Sequence, residues 1–144
     1  MIRQALVAAI LVALTLWFEC AGMAILIHWV RGWIARGAKG QTPWRSAVLM
    51  IRFTVFVIVL LLLQILLWAG FYRWRCLPSW DSCFYFSASA FSTVGYGDIV
   101  LPSAWRAMGP IESVVGVVMC GMSVSALFAI LIRLLEAEDD LLKQ

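Results

Sequence analysis

Charge is what this sequence has least of. Only 13% of its 144 residues are Asp, Glu, Lys or Arg, and it has a single histidine, His28. It shows no metal-ligand cluster and no nucleophile beside a base, so nothing points to an enzyme. The basic residues are few and mostly flank apolar segments, which argues against a nucleic-acid partner; no small-molecule substrate is implied either. Internal repeats and low-complexity tracts are also missing. What fills the chain is apolar: 64% of the residues are hydrophobic, far above the share in a soluble domain. A chain this short has no core large enough to hide that surface, so part of its solvent is lipid.

Three apolar segments reach the roughly 20 helical residues that cross a bilayer: Ala5 to Val30, Ala47 to Phe71 and Met108 to Ile132. A shorter semi-apolar run, Ser82 to Phe91, precedes the third. It is too short to span and suits a re-entrant helix, which is tolerated only where protein or water shields its ends. The first segment has Arg3 ahead of it and small residues around Ala21 to Ala24. Its apolar run is too long for a signal peptide and its main positive charges follow it, so it is expected to remain as a helix. The linker after it carries Arg31, Arg36, Lys39 and Arg45 with almost no acid, which makes it cytoplasmic by the positive-inside rule. The N-terminus and the loop from Arg73 to Ala107 then face outside, although Arg73, Arg75 and Arg106 weaken the bias. Trp29, Trp33 and Trp44 are expected at the inner headgroup level, and Trp68, Trp74, Trp80 and Trp105 at the outer one. Trp17, mid-segment, is expected to pack between helices.

The longest polar interval between spanning segments holds "SASAFSTVGYGDIVLP", residues 87 to 102. Glycine tolerates left-handed backbone angles without steric cost. Alternating Gly95 and Gly97 with ordinary residues turns successive carbonyls toward one side. A row of carbonyls without partners is unfavourable unless a dehydrated cation supplies them. TVGYGD, residues 93 to 98, resembles the selectivity filter of potassium channels, and its place between two spanning helices is that of the pore-loop superfamily. The resemblance covers about residue 47 to residue 135 and is nearest to small bacterial potassium channels, here with one extra N-terminal helix.

That resemblance implies an all-α membrane protein: three transmembrane helices, a re-entrant pore helix and a filter loop, assembling in lipid with copies of itself as a homotetramer. Residues 1–46 would be the extra helix and basic linker, 47–135 the pore domain and 136–144 an acidic cytoplasmic tail, expected to be too short for a regulatory domain. The implied activity is passive, potassium-selective conduction across a cell membrane, with K+ as permeant ion. The ion would be held by the carbonyls of Thr93, Val94, Gly95 and Tyr96 and by the Thr93 hydroxyl. Gly97, Asp98, Tyr85, Phe86 and Ser89 would support the loop, with the Tyr85–Phe86 pair behind Tyr96 and the Tyr85 hydroxyl on Asp98. Some relatives have a buried glutamate where this chain has Ser89. Gly116 and Gly121 are each a hinge or a close-packing point in the third spanning helix. The alternatives are a non-conducting or partner subunit of a heteromeric channel, and the membrane subunit of a potassium transporter. One loop with an intact filter argues against the transporter.

Four polar features remain. Glu19 lies near the middle of the first segment, where a lone carboxylate is costly. It is protonated there or paired with Arg52, and serves as a proton sensor or, the preferred reading, as an anchor between helices. The first segment lacks the repeated arginines of a voltage sensor. The spacing of Cys76 and Cys83 permits a disulfide without requiring one, whereas Cys20 and Cys120 read as small buried apolar residues. Ser123 and Ser125 either wet a cavity or bond back to their own helix.

Overall fold

The structure, a computed structural model, describes residues 2–35 and 43–142. Four α-helices account for most of it: α1 (Ile2–Ala35), α2 (Pro43–Arg75), α3 (Trp80–Phe91) and α4 (Met108–Leu142), with a single 3-10 turn at Ser103–Trp105. There is no strand among the described residues. The fold is all-helical, and three stretches are apolar and long enough to cross a membrane: Ile2–Gly32, Ala47–Arg75 and Ser103–Arg133. Arg36, Lys39 and Gly40 of the basic linker lie outside the described residues.

Each long helix overruns the apolar segment that predicted it. Hydropathy stops where lipid stops, but backbone hydrogen bonding continues into the polar flanks. Pro43 opens α2, where a missing N–H is harmless and its fixed φ suits the first turn. Arg73 and Arg75 occupy the last turn, where cations complement the helix dipole. The N–H groups of Cys76 and Leu77 then both bond Tyr72 O, at 2.8 and 2.9 Å, and close the helix just before Pro78. The short helix starts at Trp80, earlier than the predicted Ser82, because the cap is Ser79. Its side chain accepts from the Ser82 N–H at 3.2 Å, and Asp81 follows in the first turn.

Two clusters of buried residues hold the bundle. In one, Ala8 and Leu11 of α1 meet Trp68 and Phe71 of α2 and Met108 of α4. In the other, Leu26 and Val30 meet Leu49, Phe53 and Ile130. The pairing makes α1 antiparallel to α2 and parallel to α4. The N-terminal end of α1 therefore lies at the same end as the 92–107 loop, where the Gln4 side-chain amide donates to Ala104 O and the Arg3 guanidinium sits 5.8 Å from the Trp105 ring centre. Lipid tails are as apolar as leucine, so shape and polar contacts, rather than water exclusion, hold such helices together. Gly22 shows this: a Cβ there would stand 2.5 Å from a Leu60 methyl, so a larger residue would make the Leu60 side chain shift.

Five expectations need correction. Trp68 does not present its indole to headgroups: it is fully buried, and its indole N–H donates to Thr15 Oγ1 at 3.0 Å, tying α2 to α1. An indole N–H needs a partner, and a hydroxyl on the next helix serves as well as a headgroup. Trp17 is exposed rather than packed between helices. Arg52 is exposed and is not the partner of Glu19, whose carboxylate instead takes hydrogen bonds from Gln64 Nε2 and Ser123 Oγ, both at 2.7 Å. Ser123 therefore neither wets a cavity nor bonds back to α4, whereas Ser125 does bond back, to Gly121 O at 2.8 Å. All four cysteines are free thiols, and Cys20 is exposed.

Candidate ion-conduction site

The loop that follows α3 is built on the last turn of that helix. Cys83, Ser87, Ala90 and Phe91 form the buried face of α3 against its neighbours. Ser92 caps the helix, its N–H bonding Ala88 O at 3.0 Å. The chain then folds back along the same turn. Thr93 N–H reaches Ala90 O at 3.0 Å, Gly95 N–H reaches Ser89 O at 3.1 Å, and Tyr96 N–H reaches Ser89 Oγ at 3.3 Å. Ser89 thus holds two successive parts of the glycine loop, one with its carbonyl and one with its hydroxyl.

Every second residue of the loop is left-handed: Thr93 at φ +63°, Gly95 at +57° and Gly97 at +78°. At the glycines this conformation carries no steric penalty. At Thr93 it does, because a β-branched side chain with positive φ is an outlier. The strain is of order 1–2 kcal/mol, and the hydrogen bonds from Thr93 and Gly95 back to α3 hold it in place. Residues 93 to 98 are exposed in the single chain, and among the described residues nothing donates a hydrogen bond to the carbonyls of residues 93 to 97.

Side chains brace the loop from one side. The Tyr85 ring stacks on Tyr96, with centres 6.0 Å apart and planes 15° off parallel. Desolvation, and after it a hydrogen bond to the Asp98 carboxyl, push the Tyr85 phenol above its ordinary range. The Asp98 carboxylate also accepts from Ile99 N–H at 3.1 Å. Phe86 turns the other way: its ring meets Tyr72 edge-on at 5.0 Å, and a Cβ at Gly109 would come within 3.2 Å of it. A crevice of about 240 Å³ between Tyr85, Phe86, Gly97 and Ser113 separates the loop from α4.

The two glycines of α4 differ. A Cβ at Gly116 would stand 2.0 Å from Phe91 O and 2.8 Å from Phe91 C, so here α4 touches the backbone at the end of α3. A Cβ at Gly121 would meet nothing within 4 Å. One turn before Gly116, a residue that sequence reasoning passed over closes the arrangement. Glu112 is fully buried; its carboxyl lies 2.7 Å from the Tyr72 hydroxyl on α2 and 2.5 Å from the Ser87 hydroxyl on α3. Ser113 beside it donates to Ala90 O at 2.7 Å. The available signal was an acid inside a spanning segment with only Met108 and Gly116 one turn away, so no cation on its own helix face could pair with it.

A family model described as "Ion channel" matches residues 54–133, from α2 through the loop into α4. The chain belongs to this ion channel family. No curated protein matches it, and no solved structure does. The matched residues of this channel chain contain the whole short helix, the glycine loop and Glu112, whereas α1 lies outside them. With three spanning helices, it is a multi-pass membrane protein.

Proposed function

We propose that the chain forms a potassium-selective channel as a homotetramer, with residues 93–97 as its filter. The observation that carries the reading is the left-handed backbone at Thr93, Gly95 and Gly97, combined with carbonyls that find no donor among the described residues. Alternation of hand at every second residue turns successive carbonyls toward one side. Four such rows around an axis give rings of oxygens able to replace the hydration shell of K+. Thr93, Val94, Gly95 and Tyr96 would supply the carbonyl rings, and the Thr93 hydroxyl the inner one. A single loop per chain provides a quarter of such a cage, which is why the reading includes four copies. Tyr85, Ser89, Gly97 and Asp98 keep the loop in shape, and Phe86 holds α3 against α2 and α4. The C-terminal end of α3, next to Thr93, adds the negative end of a helix dipole, about half a charge, to the ion's surroundings. Gly121, free of neighbours, is the better placed of the two α4 glycines to bend. The filter end faces outside and the basic linker faces the cytoplasm, as in a bacterial inner membrane.

The test is flux from liposomes containing the purified protein. Potassium should exceed sodium strongly, and crosslinking in mild detergent should end at four chains. Gly97→Ala should still assemble, since a Cβ there would have only Gly95 O near it, at 4.0 Å. It should nevertheless lose potassium flux or selectivity, because the methyl disfavours the left-handed angle by about 1 kcal/mol or more per chain. Wild-type selectivity in that variant would remove residues 93–97 as the filter.

A further inference from the structure

We infer that Glu112 is a positioning residue that works as an uncharged carboxylic acid, completing a chain of hydrogen bonds that fixes α3, and through it the filter, between α2 and α4. The inference rests on the reading of residues 93–97 as a filter. Its basis is a count of protons. Four oxygen groups stand in a row: Ile65 O, Ser87 Oγ, the Glu112 carboxyl and Tyr72 Oη. The links between them measure 2.9, 2.5 and 2.7 Å.

Each hydroxyl owns one proton, and a backbone carbonyl owns none. If Glu112 is ionised, two protons serve three links. Ser87 must then choose between Ile65 O and Glu112 Oε1, and the other contact sets lone pair against lone pair at 2.5 or 2.9 Å. If Glu112 carries a proton, all three links are made. The acid donates from Oε1 to Ser87 Oγ, Ser87 donates to Ile65 O, and Tyr72 donates to Oε2. The surroundings agree, because an ionised carboxylate needs a cation when it is buried. The charged residues at this end, Arg73 and Arg75 of α2, Asp81 of α3 and Arg106 before α4, are all exposed, and Arg3 of α1 lies over Trp105. The other ionisable groups on the elements around it are Tyr72 itself, the Cys76, Cys83 and Cys120 thiols, and Tyr85 of α3, which faces away from Glu112 toward Tyr96 and Asp98 of the loop and is common to wild type and Glu112→Gln.

The position explains the consequence. Ser87 is two residues from Ser89, which holds both Gly95 and Tyr96. A fixed Ser87 therefore fixes the anchor of the filter. Loss of the Glu112 proton would remove one link of the row and leave a negative charge without a partner behind the filter.

The experiment compares the wild type, Glu112→Gln and Glu112→Ala, each as the full chain in liposomes. Glutamine keeps a donor for Ser87 and an acceptor for Tyr72 without any charge. The infrared difference between wild type and Glu112→Gln at neutral pH should contain the carbonyl band of a protonated carboxyl, and that band should fade as pH is raised. Potassium flux of Glu112→Gln should stay within about twofold of wild type and remain flat into alkaline pH, where wild-type flux falls. Glu112→Ala should lose about tenfold or more. A carboxylate band in place of the protonated one at neutral pH would overturn the inference. So would a tenfold loss in an assembled Glu112→Gln, or the same alkaline fall in both proteins. If Glu112→Ala does not assemble, the infrared band and the glutamine comparison still decide. A wild type without potassium preference would instead count against the filter, and leaves the infrared result standing.

Discussion

Along α4, the half that begins at Met108 and the half that follows Gly121 are held in different ways. The first half is locked against α2 and α3: Glu112 bonds both helices, Ser113 bonds Ala90 O, and Gly116 lies against the backbone of Phe91. The second half is held through Ser123 by Glu19, a residue of the accessory helix α1. Both halves use a buried carboxyl with no cation beside it among the described residues, bonded to two other helices. The Glu112 cluster, however, has a partner for every oxygen, whereas in the Glu19 cluster Gln64 Oε1 is buried without a donor. A fully satisfied network rigidifies, and a partly satisfied one leaves room to rearrange. The comparison teaches that the helix is fixed where it backs the glycine loop proposed as the filter and adjustable where α1 meets it.

The largest effect should come from Gly116→Ala. Its new methyl would press on backbone rather than on a flexible side chain, and overpacking of that kind costs about 1–3 kcal/mol per chain. Flux should be lost and the assembled form much reduced on gel filtration. A Gly116→Ala protein with wild-type flux would show that the first half is not locked. Next is Glu19→Ala, which strips Gln64 Nε2 and Ser123 Oγ of their acceptor, a loss of about 1–3 kcal/mol. Thermal unfolding in detergent should fall accordingly, while potassium-over-sodium preference stays. Glu19→Gln should recover most of the loss, and a collapse of selectivity in either variant would mean that the second half controls the filter too.

Gly121→Ala is expected to be mild. With open space around it, the substitution should leave assembly intact and even add about 0.5–1 kcal/mol through helix propensity. Its effect should appear only in how readily the pore opens. Smallest of all is the behaviour of Cys76 at the α2–α3 corner. Burial, and then the neighbouring Cys83 thiol, push its thiol from 9.0 up to about 11. At neutral pH it should react with maleimide about a hundredfold more slowly than a free thiol. The neutral thiol is the form the fold favours, so this contribution to stability is whole below pH 9 and is lost as pH rises from about 9 through about 11. In Gly116→Ala the rate should climb as the corner loosens; an unchanged rate there would separate the corner from the locked half.

Much of this architecture is legible in the sequence, and the reasons differ by residue. Span lengths follow from hydropathy, and α4 begins at Met108 as expected. The glycines of the loop announced their left-handed angles. Thr93 did not, because its intrinsic preference points the other way and only the bonds of Thr93 and Gly95 to α3 impose the angle. Glu19 drew notice because it sits at mid-span, but its partners Gln64 and Ser123 lie 45 and 104 residues away, and no local spacing connects them. Arg52 looked like the obvious partner by charge, yet it is exposed, and the carboxyl is satisfied by neutral donors. Glu112 was missed because it lies close to the start of its segment, where an acid passes for a boundary residue. Trp68 resembled a headgroup marker because the sequence showed its indole and not the Thr15 hydroxyl on another helix.

The left-handed Thr93 sets stability against selectivity at a single position. Replacing it with glycine would relieve strain of about 1 kcal/mol per chain. It would also delete the hydroxyl ring proposed for the inner end of the filter. A screen for heat-resistant variants would therefore be drawn to a substitution that a screen for potassium preference would reject. Site-by-site optimisation of this protein for robustness alone would begin by eroding the loop proposed to conduct its ion.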